Sequence, residues 1–134
     1  MQVTNTDPNL ILTALWTALS STGISDNFFI GNRPAVADID DFVVIDINGM
    51  VQDKQTDAGK AVSGKCVCLV QLFARDIDAK GTLNMTKLSA MYSALLDTLP
   101  YNTSPYTFSK KNQVGRRDTL GFHATLVNLD CLIY

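Results

Sequence analysis

The sequence predicts an α+β fold: a mainly antiparallel sheet of about four strands packed with two helices, in the order helix-strand-strand-helix-strand-strand. Three observations predict it. Two segments, 8–20 and 85–99, carry apolar residues at helical spacing. Two others, 42–47 and 65–76, are apolar with two-residue alternation and rich in residues that favour strands. A last pair of strand-like segments lies between Pro105 and Tyr134. With 134 residues, the chain is read as a single α+β domain, 1–134, large enough to bury about two-thirds of its unfolded surface.

The first helix opens at Asp7-Pro8, an N-cap residue followed by a proline that sacrifices no hydrogen bond. Leu10, Ile11, Ala14, Leu15, Ala18 and Leu19 form its apolar stripe. Trp16 lies off that stripe and is expected to extend the core. The connection 27–41 begins with Phe28, Phe29 and Ile30, a short strand candidate. In the strand 42–47, Val43, Ile45 and Ile47 share one face, and Phe42, Val44 and Asp46 the other. Asn48-Gly49 marks a turn or bulge, with Met50-Val51 continuing the strand. The polar stretch Gln52 to Gly64, with Gly59 inside it, is expected to be a loop. In the strand 65–76, Cys66, Cys68, Val70, Leu72 and Ala74 alternate with Val67, Leu69, Gln71, Phe73 and Arg75. Both faces begin apolar, as in a strand covered on two sides. Asn84 caps the second helix, Leu88, Met91, Tyr92, Leu95 and Leu99 form its stripe, and Pro100 stops it. The last strands are expected at 106–111 and 118–134, the latter with His123, Thr125, Val127, Leu129, Cys131 and Ile133 on one face.

Composition narrows the function. The chain is 46% hydrophobic and 18% charged, with a net charge of −2, so it is not a nucleic-acid binder as a whole. No apolar run is long enough to span a bilayer, and 1–7 lacks the regions of a signal peptide. Three cysteines, two of them on one strand face, suit buried thiols in a reducing compartment better than a disulfide framework. Cys-x-Cys with a distant Cys131 and His123 matches no zinc pattern, so no metal or cofactor is expected.

Catalytic chemistry is sparse. The chain holds thirteen aspartates, no glutamate and a single histidine. No phosphate loop, nucleophile elbow or zincin motif is present. His123 is expected to be structural. Asp46 with Asp76 would be a nuclease-like carboxylate pair, the weakest reading, and the protein is expected not to be an enzyme. The strongest candidate is the basic cluster Lys110, Lys111, Arg116 and Arg117, expected at the hairpin tip between the last strands. It would meet nucleic-acid phosphates or an acidic patch. Asp38, Asp40 and Asp41 supply such a patch within the same chain. They lack the terminal acid of a calcium loop. Opposite charges on separate surfaces of one protomer suit a head-to-tail interface that closes a ring.

An N-terminal amphipathic helix is followed by Phe29-Ile30-Gly31-Asn32-Arg33-Pro34 leading into Phe42-Val43-Val44-Ile45. A long strand Cys66 to Arg75, a helix Met85 to Leu99, and a closing pair ending in Gly121-Phe122-His123-Ala124-Thr125-Leu126 complete the series. This layout resembles that of the small tail-terminator, tail-completion and head–tail joining proteins of tailed bacteriophages. The stretch 52–64 and the sharp basic tip depart from it. The resemblance implies a virion structural protein, assembled in the host cytoplasm, that forms a homo-oligomeric ring, commonly a hexamer. Its partners would be neighbouring tail or neck proteins, and DNA would contact it in the lumen. The alternative is a small non-catalytic binding or accessory module of bacterial origin, whose long loops carry recognition.

Overall fold

A computed structural model describes residues 6–32, 38–55, 61–117 and 121–134. Arg33, Pro34, Gly59 and Asp118 lie outside the described residues. The chain folds as helix α1 (Pro8–Ser20), strands β1 (Phe28–Ile30), β2 (Asp41–Ile47), β3 (Gln52–Gln55) and β4 (Ala61–Arg75), helix α2 (Met85–Thr98), and strands β5 (Tyr101–Thr103), β6 (Tyr106–Arg117) and β7 (Phe122–Ile133).

The seven strands form one curled, mixed sheet, in effect a half-barrel, in the order β1-β2-β4-β7-β6-β5, with β3 paired to β4. This corrects the expected four-stranded, mainly antiparallel sheet in helix-strand-strand-helix-strand-strand order. β1 runs parallel to β2, pairing Phe28 with Val43 and Ile30 with Ile45. β3 extends the line of β2 along the same edge of β4: Ile47 pairs with Cys68 and Gln52 with Lys65. The interruption at 48–51 is the turn or bulge expected at Asn48-Gly49. The stretch read as a loop is therefore, among the described residues, two arms of a β3–β4 hairpin. β3 escapes a periodicity search because Gln-Asp-Lys-Gln has no apolar face; among the described residues its strand partner is β4.

The helix ends form as their caps dictate. The Asp7 carboxylate accepts from the Asn9 amide at 2.9 Å, and the Asn84 side-chain carbonyl accepts from the Lys87 amide at 3.2 Å. α1 buries Ile11, Leu15, Ala18 and Leu19, and α2 buries Leu88, Met91 and Leu95. Trp16, 42% exposed, does not extend the core, and Leu10 is also exposed. α1 touches both β2 and β6. These strands are three places apart in the sheet, about 14 Å if it were flat, so curling is what brings them to one helix.

Strand alternation divides the core in two. The helix-covered face contributes Val43, Ile45, Cys68, Val70, Leu72, Val127, Leu129 and Ile133. The other face carries a smaller cluster of Phe42, Val44, Phe73, Phe122 and Ala124. There Phe42 stacks on Phe73 at 4.5 Å and meets Phe122 edge-on at 5.2 Å. Rings with few aliphatic neighbours gain from such geometry beyond their area.

Candidate functional site: the edge strand, the acidic end and a thiol cluster

β6 pairs with β7 from Tyr106–Ile133 to Arg117–His123, with a bulge at Lys111. The basic cluster is consequently split: Arg116 and Arg117 end β6 at its connection to β7, and the two lysines lie back from that tip. All four lie within β6, and Lys110 and Arg116 are about 20 Å apart along the strand. The bulge also separates the two lysines. Lys110 is opposite Leu129 on the helix-covered face, its ammonium 5.7 Å from the centre of the Tyr92 ring. Lys111 lines a groove of about 510 Å³ on the other face, with Lys65 and Asp130. Arg116 is exposed opposite Ala124. Arg117 closes the strand opposite His123.

β5 covers β6 only along Tyr106–Phe108. From Ser109 to Arg117 the outer edge of β6 has no strand against it among the described residues. The four basic residues thus lie along an open edge. Its lack of apolar alternation hides it from a sequence search.

The acidic run lies where β2 begins, in the same cross-sheet row as Arg117 and three strands away from it. Asp38 is exposed. Asp40, 89% exposed at its side chain, pairs with the Arg75 guanidinium at 3.2 Å. Asp41 is drawn inward. Its carboxylate accepts from the Ser25 hydroxyl and pairs with the Lys87 ammonium at 3.2 Å, and its carbonyl accepts from the Asn27 side chain at 3.1 Å. Asp41 therefore fastens the fold, Asp40 is neutralised at the surface by Arg75, and Asp38 is exposed.

His123 is tied to Asp76 at 2.5 Å between Nδ1 and a carboxylate oxygen, with both side chains largely enclosed. The pair joins the end of β4 to the start of β7, beside the Asp76 amide bonded to the Gly121 carbonyl at 2.9 Å. A groove of about 520 Å³ opens next to His123, lined by Met85, Leu88, Tyr92 and Arg116 among others. A carboxylate orienting an imidazole can support proton transfer. Among the described residues no hydroxyl or thiol is hydrogen-bonded to the ring, so a nucleophile of the triad type is not assembled around it. Asp46 and Asp76 do not form a carboxylate pair. Asp46 is opposite Leu69, and Asp76 lies seven residues further along β4, about 23 Å away.

The fold does assemble a group that linear spacing hides. Cys66 and Cys131 are cross-strand partners on β4 and β7, and Cys68 follows two residues after Cys66 on the same face. The three sulfurs lie within 4.8 Å of one another, and Cys66 and Cys68 are 4.0 Å apart. All three are buried free thiols. Hydrogen bonds from the Cys131 and Cys68 thiols pull Cys66 down to about 4. Cys131 is pushed up to about 12, chiefly by its bond to Cys66, and Cys68 is pushed up by its bonds to the same partners and by burial.

No protein-family model matches the chain, and no curated protein is significantly similar to it in sequence.

Proposed function

We propose that this chain is a non-catalytic structural subunit of a tailed-bacteriophage virion, a ring-forming tail terminator or neck component that acts through its interfaces. The observation that carries the reading is the open edge of β6. Along this nine-residue run about every second residue turns its backbone N–H and C=O away from β7, and among the described residues no strand meets them, which makes the edge a template for another strand. The basic residues along it admit an acidic partner and repel a second copy of the same edge, which favours head-to-tail over face-to-face pairing. Exposed Asp38 offers negative charge beside the surface Asp40–Arg75 pair at the start of β2, on another strand of the same sheet. The start of β2 and β6 are three strand spacings apart, about 14 Å if the sheet were flat, so the acidic and basic surfaces lie on different strands. Two different complementary surfaces on one protomer generate a ring when the rotation closes. In that ring the basic residues of one protomer meet the acidic surface of its neighbour.

The test is charge reversal along the edge. The variant carrying Lys110→Glu, Lys111→Glu, Arg116→Glu and Arg117→Glu is expected to keep a native circular-dichroism spectrum and to form no rings in negative-stain images. Rings indistinguishable from those of the unaltered protein would overturn the proposal.

A further inference from the structure

Independently of the assembly reading, we propose that Cys66, Cys68 and Cys131 form a three-coordinate thiolate site for Cu(I). The argument is geometric. A metal bonded to three sulfurs at about 2.3 Å in a trigonal plane holds them about 4.0 Å apart. Cys66 and Cys68 stand at 4.0 Å, and the whole trio lies within 4.8 Å. A shift of less than an ångström in the remaining separations therefore completes the triangle. The sheet fixes two of its sides: one by the two-residue repeat of β4, the other by the cross-strand pairing of Cys66 with Cys131.

The donor set selects the ion. Three thiolates with no carboxylate among them suit a soft cation and exclude magnesium, calcium and manganese. Structural zinc takes four ligands, and among the described residues this group supplies three. Cu(I) accepts three sulfurs. The site is otherwise dry, walled by core side chains such as Leu129 and Phe108, which protects a cuprous ion from water and oxidant. Cys66, at 6% exposure, is the one sulfur-bearing residue of the trio with contact to solvent, and it gives the ion its way in.

The test loads the reduced full-length protein with Cu(I) under anaerobic conditions, in competition with a chromogenic cuprous chelator. The expected result is one Cu(I) per chain, a sulfur-to-copper charge-transfer band in the near ultraviolet, and a sulfur-only first shell by X-ray absorption. Cys131→Ala and Cys68→Ala, each first shown to be folded by circular dichroism, are expected to lose the band and most of the affinity. Failure of the unaltered reduced protein to compete for Cu(I) overturns the proposal without recourse to a variant. So does a nitrogen or oxygen shell, equal binding by folded Cys131→Ala, or a preference for Zn(II) over Cu(I) in the same competition.

Discussion

Gly64 sits where β4 passes beneath β3 and the start of α1. A Cβ built there would stand 2.4 Å from the Gln52 carbonyl oxygen and 3.0 Å from the Thr6 methyl. Backbone is on one side, so the contact cannot be relieved by a rotamer change. Gly64→Ala is expected to cost about 1–3 kcal/mol, the range for overpacking, and to lower the melting temperature accordingly. An unchanged melting temperature would mean that β3 does not lie so close to β4. A second residue-scale prediction concerns Asp78. Its carboxylate accepts from the Thr82 hydroxyl at 2.8 Å and from the Thr82 and Lys80 amides, and the Thr82 hydroxyl bond is the largest cause holding it below the ordinary aspartate range. A depressed folded value contributes order that is complete above the unfolded value and lost as pH falls through the folded one. The turn 77–82 is therefore expected to loosen as pH drops below about 4. Amide exchange at Lys80 and Thr82 should accelerate there relative to the same experiment on Asp78→Asn, and equal behaviour of the two proteins would contradict the assignment.

At the scale of elements, what was legible in the sequence follows physical signal strength. Both helices, their caps and their buried stripes could be read because apolar residues recur at helical spacing and Asp7 and Asn84 stand where a cap is needed. The apolar strand 42–47 and the faces of β4 could be read because alternation is strong there. β3 and the outer half of β6 could not, because a strand on a sheet edge buries little and its residues obey no apolar alternation. β5 has only three residues, and the parallel pairing of β1 depends on a crossover that local patterns do not encode. The candidate site suffered most. Placing all four basic residues at a tip assumed that the strand stopped at Lys111, whereas β6 bulges there and continues to Arg117, which leaves only Arg116 and Arg117 beside the connection to β7. The thiol cluster was invisible because its closing contact, Cys66 to Cys131, spans strands distant in sequence. The bulge itself is testable. Lys110 is opposite Leu129 and Asn112 opposite Asn128, so removing Lys111 leaves a regular one-to-one ladder with every other side chain on its present face. The deletion is expected to fold with β6–β7 amide protection intact. Loss of protection from Asn112 onward would show that the bulge is needed to aim the strand.

The described residues form a curled sheet with two helices on one face, an aromatic cluster on the other, basic residues along β6 and acidic residues at the start of β2. Trp16 and Leu10 on the outer side of α1 add apolar surface beyond what the core uses. Isolated exposed apolar residues are ordinary, but here they accompany an open strand edge, and together they suit a protein that finishes burying itself in an assembly. Contacts made by exposed charges weaken with salt, because the screening length falls from about 10 Å at 0.1 M to about 3 Å at 1 M. The central claim is head-to-tail assembly through the β6 edge, and solution mass by light scattering coupled to size-exclusion chromatography, at low and at high salt, tests it most directly. A ring-sized species is expected at low salt, shifting to smaller mass as salt rises. A strict monomer at both salt concentrations would contradict it.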